Sequence, residues 1–179
     1  MDLNIYYNNK VLSAQEREEF RIRAEETIEI FTESIDGFCE LYQECKPSQN
    51  KVHDKITKTV LDVGIFTCYT YCDCTVLLKH FILSTDLYEK RLFRGKLKVL
   101  LNEGFKSLYG FNDKQRKRSY YIKLGEIMNY FPGFQLEYDS ILLKLKQLSE
   151  QSTWWKDERN TEVHLDMSQL YKSRHEEIN

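Results

Sequence analysis

The spacing of hydrophobic residues along this chain is that of long amphipathic helices. Ser13 and Glu16 have the Ser-x-x-Glu form of a capping box, which predicts that a first helix starts near Ala14. Pro47 is predicted to end this helix, because proline disrupts a helix interior. Between these points apolar side chains recur at alternating steps of four and three, which places them on one stripe of the helix: Ala24, Ile28, Phe31, Ile35, Phe38, Tyr42 and Cys45.

Three more helices are predicted from the same periodicity. The second runs from about 51 to 83, and its second half is apolar on nearly every side, so we expect it to be the central and most buried helix. The third runs from about 86 to 109 and ends where Gly110 can adopt the left-handed conformation that closes many helices. The fourth runs from about 113 to 131 and stops at Pro132.

A fifth helix is predicted after Pro132, and a polar break at 149–153 separates it from a sixth helix at 157–177. Together these elements predict an all-α fold, a bundle of five to six helices that forms a single domain over 1–179. No internal repeat or linker indicates a second domain. The apolar stripe of the fifth helix consists of Phe134, Tyr138, Ile141, Leu145 and Leu148.

Composition agrees with a folded helical protein. With 41% hydrophobic and 13% aromatic residues, the 179-residue chain can bury a core without disulfides or a structural metal. Only 7 Gly and 2 Pro are present, too few turn formers for a many-stranded sandwich or barrel. The N-terminus has no basic flank followed by an apolar core, so we expect no export and a cytoplasmic location.

Cysteine usage and hydropathy favour the same location. Five cysteines are an odd number in a chain without an export signal, which favours reduced thiols, most of them buried. Cys68, Cys72 and Cys74 are close enough to suggest zinc but lack the CxxC pairs or paired histidines of structural zinc sites, so no metal is expected. The most apolar stretch, 63–78, contains Asp73 and is shorter than the roughly 20 apolar residues of a membrane span, so no membrane contact is expected.

Charge is unevenly distributed, although the whole chain carries only −2. The stretch 90–123 has eleven Lys and Arg against two acids, and 14–46 has ten acids against four bases. One interpretation is two solvated helical faces that attract each other across the bundle. The other is a basic surface for phosphate backbones, centred on 116–118 beside Tyr120 and Tyr121.

One motif in the last predicted helix carries candidate chemistry. Asn160 and His164 are four residues apart and share a helix face. Arg159 is five residues from His164, a divergence of about 140°, so its long side chain must reach round the first turn to join them. Guanidinium, amide and imidazole then converge on one group of the size and charge of a phosphate. The motif reads Arg159-Asn160-Thr161-Glu162-Val163-His164.

This motif resembles the hallmark of the HEPN family (higher eukaryotes and prokaryotes nucleotide-binding domains), an Arg and a His with four to six residues between them, often with a polar residue directly after the Arg. Asn160 matches the polar position, and the place of the motif late in an all-helical chain also matches. The resemblance implies a HEPN-like, metal-independent endoribonuclease without cofactor, in which two chains bring their motifs to one composite cleft. It also implies RNA as substrate, and a toxin or phage-defence role with an antitoxin or another protein as a further candidate partner.

On this hypothesis each motif residue has a role. His164 is the general acid/base that moves the proton of the ribose 2′-hydroxyl or of the leaving oxygen. Arg159 stabilises the charge of the pentacovalent phosphate, and Asn160 positions it. HEPN toxins that are silenced by nucleotidylation resemble one another in a Tyr two residues after the His; here that position is Asp166, so this regulation is not implied.

A non-catalytic interpretation stays open. Arg159 can instead pair with Asp73, a carboxylate in an apolar helix that needs a partner, and His164 can lie at an interface. Trp154 and Trp155 can stack on bases or anchor the last helix. The chain is then a dimeric helical module that binds a protein, a nucleotide or RNA. The sequence motifs of di-iron, ATPase, zinc protease and serine hydrolase sites are absent.

Overall fold

The computed structural model describes residues 12–45 and 50–151. Within these ranges the chain forms six α-helices and two single turns of 3₁₀-helix, and it contains no β-strand. The all-α prediction is therefore confirmed. The helices are Ala14–Glu44 (α1), Lys51–Leu83 (α2), Leu87–Leu108 (α3), Asp113–Arg116 (α4), Tyr120–Gly125 (α5) and Gln135–Gln151 (α6).

Helix α1 begins at the predicted capping box. The Ser13 hydroxyl accepts a hydrogen bond from the backbone N–H of Glu16 at 3.1 Å, and the Glu16 carboxylate accepts one from the N–H of Ser13 at 2.8 Å. These two bonds satisfy amide groups that the first turn of a helix leaves unpaired. The sequence signal therefore predicted the start of α1 correctly.

Helices α1 and α2 form a long antiparallel hairpin. Near the start of α1 the Arg17 guanidinium donates a hydrogen bond to the carbonyl of Leu83, the last residue of α2. Near the middle, the ring of Phe31 stacks on that of Tyr71 with the centroids 4.5 Å apart. The later residue of α1 contacts the earlier residue of α2, which shows that the two helices run antiparallel.

Gly64 of α2 allows a close approach between these two helices. The ring of Phe38 packs onto the glycine backbone, where a Cβ atom would lie only 2.7 Å from the ring. The apolar stripe of α1 therefore faces α2 as far as Phe38. Beyond this point Tyr42 is 46% exposed and Cys45 is exposed, so the end of the predicted stripe is not covered by α2.

Helix α2 is the central helix of the described structure. It contacts α1, α3 and α5, and on the α3 side the His80 ring stacks on Phe93 with the centroids 4.9 Å apart. Its central position is as predicted, but Val60 and Tyr69 are 39% and 50% exposed. The described neighbours of α2 therefore do not cover all of its apolar positions.

Helix α3 begins and ends where the sequence predicts. The Asp86 carboxylate caps its start by accepting a hydrogen bond from the Glu89 N–H at 2.8 Å. Gly110 follows its end with a φ of 85°, in the left-handed region. A Cβ atom at Gly110 would also lie 2.8 Å from the backbone nitrogen of Arg116, so sterics and conformation both favour glycine here.

The predicted fourth helix is broken. Instead of one helix over 113–131, α4 ends at Arg116 and α5 begins at Tyr120. Ser119 is only 1% exposed, and its hydroxyl donates to the Arg116 carbonyl at 2.8 Å and accepts from the Ile122 N–H at 3.4 Å. One serine thus satisfies groups at the end of α4 and at the start of α5. The prediction was wrong because no Gly or Pro marks this break.

Helix α6 packs onto α3 and α5 through a small aromatic core. Tyr109, Tyr121 and Leu145 are buried together, and Tyr138 and Leu142 pack against them. Because α6 continues through Gln151, the polar break predicted at 149–153 is wrong over its first three residues. A polar run on an exposed turn of helix does not by itself end the helix.

The face of α6 that packs inward is rotated from the predicted one. Tyr138, Leu142 and Leu145 face the core, whereas Ile141 and Leu148 of the predicted stripe are 46% and 49% exposed. Helix α6 carries two neighbouring rows of apolar residues, and the predicted stripe mixed both. The described neighbours cover one row and leave the other open.

Candidate functional site

The motif that carries the predicted chemistry lies outside the described residues. This holds for Arg159, Asn160 and His164 and for the whole sixth helix predicted at 157–177. The geometry of the motif therefore stays a prediction, as does the single domain over 1–179.

Asp73, the carboxylate considered as a partner for Arg159, is exposed on α2. An exposed carboxylate is hydrated and does not require an arginine beside it, so the expectation that it needs a partner was wrong. Its charge acts instead on a neighbouring thiol. Burial and the charge of Asp73 raise the pKa of Cys74 to about 11, which keeps this thiol protonated and unreactive at neutral pH.

Within the basic segment 113–123, which comprises α4, the turn after it and the first four residues of α5, one arginine packs against the residue that follows α3. The guanidinium of Arg116 lies 4.8 Å from the centroid of the Tyr109 ring and 3.3 Å from the Asp113 carboxylate. The other cations of the segment point into solvent, where they can attract phosphate groups. These exposed cations are Lys114, Lys117, Arg118 and Lys123.

The two tyrosines beside these cations are engaged inside the protein. Tyr121 is 6% exposed and stacks on Tyr138 with the centroids 4.7 Å apart. Tyr120 stacks on Phe66 of α2 at 4.4 Å, and Lys123 lies 5.5 Å from the centroid of its ring. Rings that pack within the protein are not available to RNA bases. The predicted basic surface therefore keeps its cations but lacks the aromatic faces.

A cleft of about 260 Å³ lies where α1 ends and α2 begins. The side chain of Asn50 caps α2 at this place by accepting hydrogen bonds from the N–H groups of Val52 and His53 at 3.0 and 3.3 Å. The lining combines an imidazole, an ammonium, a carboxylate, a thiol and a phenol. These residues are Tyr42, Cys45, His53, Asp54, Thr57, Lys58 and Leu61.

This cleft was not predicted from the sequence. Its residues come from two helices, and only the antiparallel pairing of α1 with α2 brings them together. The available signal was the short connection between the two predicted helices, which places the end of the first beside the start of the second. The exposed His53 side chain lines this cleft, whereas the His80 ring packs on Phe93.

Thiol chemistry receives no support from the structure. All five cysteines are free, and burial raises the pKa of Cys68. Among the residues that the structure describes, no group of three or more His, Cys, Asp and Glu side chains is arranged to hold a metal ion. Cys68, Cys72 and Cys74 therefore do not form a zinc site with described neighbours.

One described helix, α2, is long and apolar enough to cross a membrane by length and composition alone. A core helix of a soluble protein can pass the same test, so this property does not place the protein in a membrane. The expected cytoplasmic location stays a prediction.

Comparison of the chain with protein-family models, curated proteins and solved structures finds no match. A function is therefore proposed from the residues of this chain alone.

Proposed function

We propose that this protein is a HEPN-like, metal-independent endoribonuclease that cleaves RNA at a composite site between two chains, as a toxin or phage-defence component. The observation that carries the proposal is the motif that runs from Arg159 through Asn160 to His164. The all-α fold of the described residues agrees with this family, since the family motif belongs to a late helix of a helical domain.

The proposed chemistry assigns one task to each side chain. His164 takes the proton of a ribose 2′-hydroxyl as the 2′-oxygen bonds to phosphorus, or gives a proton to the 5′-oxygen as its bond to phosphorus breaks. Arg159 stabilises the negative charge on the pentacovalent phosphate, and Asn160 orients that group by a hydrogen bond. Two copies of the motif in one cleft supply one histidine for each proton transfer.

The exposed cations of segment 113–123 support an RNA substrate. Four cations within ten residues create a positive surface that attracts any phosphate backbone, and the attraction weakens as salt releases bound counterions. Because this attraction does not depend on base identity, we expect it to contribute affinity and not sequence selectivity. Selectivity then comes from the cleft between the two chains.

A second candidate function is a non-catalytic module that binds a protein, a nucleotide or RNA. Large apolar side chains on the described surface favour a protein partner. Leu87 and Tyr88 at the start of α3 are 82% and 76% exposed, and Leu136 at the start of α6 is 82% exposed. Exposed apolar side chains of this size often mark contact surfaces when they adjoin one another.

The test compares RNA cleavage by the wild type, Arg159→Ala and His164→Ala. Structured and single-stranded RNAs are incubated with each protein in the presence of a chelator. We expect the wild type to cleave and both variants to lose at least about a hundredfold in rate, as is typical when a general acid/base or an electrostatic stabiliser is removed. His175→Ala is the matched control, because it removes a histidine outside the motif and should keep full activity.

Two results would contradict this proposal. Equal cleavage by the wild type and His164→Ala assigns the activity to another residue or to a contaminant. Folded wild type that binds RNA or protein without cleaving any RNA favours the non-catalytic module. The molar mass in solution tests the composite site separately, because an active monomer rules out a cleft shared by two chains.

A further inference from the structure

Helix α6 carries a second apolar row that its described neighbours do not cover. The covered row contains Tyr138, Leu142 and Leu145 and packs against the aromatic core. The second row contains Ile141 and Leu148, which are one heptad apart and are 46% and 49% exposed. At about 100° per residue these two side chains lie roughly 60–80° round the helix from the covered row, so the two rows are adjacent.

The chain itself supplies a segment that can reach this row. The described part of α6 reaches Gln151, less than one turn beyond Leu148, and 28 residues follow. A helix of 28 residues is about 42 Å long, against about 25 Å for the 17 residues of α6. The segment carries apolar side chains at the helical spacing of four and three, Val163, Met167 and Leu170.

A second copy of the chain is a weaker occupant of the same row. Two half-exposed side chains offer far less than the roughly 1,200 Å² that a stable interface between proteins buries. A tethered segment needs less area, because its effective concentration beside α6 is on the order of millimolar. The position of the row directly before the segment also favours the same chain.

We propose that residues 152–179 of the same chain dock on Ile141 and Leu148 of α6 and extend the apolar core across this side of the helix. The docking does not rest on the proposed nuclease function. With this docking, Arg159 and His164 lie in a segment that packs on α6 and not on the basic segment 113–123.

Tryptophan fluorescence of the full chain tests this docking. Trp154 and Trp155 are the only two tryptophans, and both lie in the segment. We expect wild-type emission at a shorter wavelength than that of indole in water, and slow quenching by acrylamide. Leu148→Lys and Ile141→Lys place a charge in the apolar contact, so each should shift emission to longer wavelength and raise the quenching constant at least about twofold.

Leu136→Lys and Leu143→Lys are the matched controls. These positions are 82% and 57% exposed and lie on the opposite side of α6 from the second row, so neither change should alter the fluorescence. Far-ultraviolet circular dichroism checks that all four variants keep the helix content of the wild type.

Three results would overturn the proposed docking. The first is wild-type tryptophans that are quenched as fast as free indole. The second is an equal change in fluorescence for the two variants of the second row and for the control variants Leu136→Lys and Leu143→Lys. The third is shielding that disappears on dilution, which identifies a second copy as the occupant. None of these measurements uses RNA cleavage, so failure of the docking and failure of the nuclease function are distinguishable.

Discussion

Tyr121 of α5 and Tyr138 of α6 exchange hydrogen bonds between hydroxyl and backbone. The Tyr121 hydroxyl donates to the Tyr138 carbonyl at 2.7 Å, and the Tyr138 hydroxyl donates to the Tyr121 carbonyl at 3.3 Å. The rings stack with the centroids 4.7 Å apart and the planes 7° from parallel. This reciprocal pair joins a six-residue helix to α6 with both polar and apolar contacts.

Removal of the Tyr121 hydroxyl should destabilise the protein. Tyr121→Phe keeps the stacked ring but loses the shorter of the two bonds, so we expect the free energy of unfolding to fall by about 1 kcal/mol. Urea unfolding followed by circular dichroism measures this change. Tyr138→Phe loses the longer bond and should cost less. If the two substitutions cost the same, the difference in hydrogen-bond length has no energetic consequence.

The stability of the protein should fall at high pH because of the same pair. Burial, assisted by the nearby Tyr138 and Asp139, raises the pKa of Tyr121 to about 12. The unfolded chain loses this proton near pH 10 and the folded chain keeps it until about pH 12, so the folded state binds more protons between these values. The contribution of Tyr121 is therefore complete below pH 10 and is lost as pH rises towards 12.

The measurement is the difference in unfolding free energy between the wild type and Tyr121→Phe across this range. Other tyrosines and lysines titrate in both proteins and largely cancel in the difference. A difference that stays constant from pH 9 to pH 12 would contradict the raised pKa.

The same substitution should have opposite effects at two glycines of the α1–α2 hairpin. Gly37→Ala in α1 places a Cβ with nothing within 4 Å, so the better helix propensity of alanine should stabilise the protein by about 0.5–1 kcal/mol. Gly64→Ala places a Cβ 2.7 Å from the Phe38 ring, and the displaced ring should cost about 1–3 kcal/mol. Thermal unfolding of both variants compares them, and stabilisation by both would refute the close approach at Gly64.

Loss of the N-terminal cap of α1 should be measurable. Ser13→Ala removes the acceptor for the Glu16 N–H, so we expect a loss of about 1 kcal/mol in urea unfolding. Ser34→Ala is the control, because the Ser34 hydroxyl bonds only to the Ile30 carbonyl within the helix and its removal should change stability by less than about 0.5 kcal/mol. If Ser13→Ala is as stable as Ser34→Ala, the cap does not contribute to the free energy of unfolding.

The sequence predicts α1, α2 and α3 to within a residue or so because their ends carry local signals. Ser13 caps α1, Asp86 caps α3, and Gly110 closes α3 in the left-handed conformation. These signals act through hydrogen bonds or backbone preferences of residues close in sequence. A local pattern therefore contains the information that such a boundary needs.

The break at Ser119 and the inward face of α6 depend on packing. A serine inside a basic run starts a new helix here because burial leaves its hydroxyl only local partners, Arg116 and Ile122. Helix α6 has apolar residues on two adjacent rows, and only the positions of α3 and α5 select Leu145 over Leu148 as the buried one. Periodicity shows that a helix is amphipathic but not which row its neighbours cover.

The candidate site also has one part that local sequence predicts and other parts that depend on packing. The motif from Arg159 to His164 is read from sequence as a set of residues near one another on a helix, whereas the cleft near His53 exists only once α1 pairs with α2. The prediction that the basic surface also offers aromatic faces was wrong, because the rings of Tyr120 and Tyr121 pack inside the protein. Composition showed which residue types are present but not which of their faces remain free.

Contact between Phe38 and Gly64 sets the register of the α1–α2 hairpin. Gly64 is the one glycine in α2, and a slide of one helical turn, about 5.4 Å, would bring the Phe38 ring opposite Val60 or Cys68, which both carry a Cβ. The hairpin therefore has a single favoured alignment that is set within the helices. Residues inserted into the connection at 46–49 should lengthen the connection and leave the alignment of the two helices unchanged.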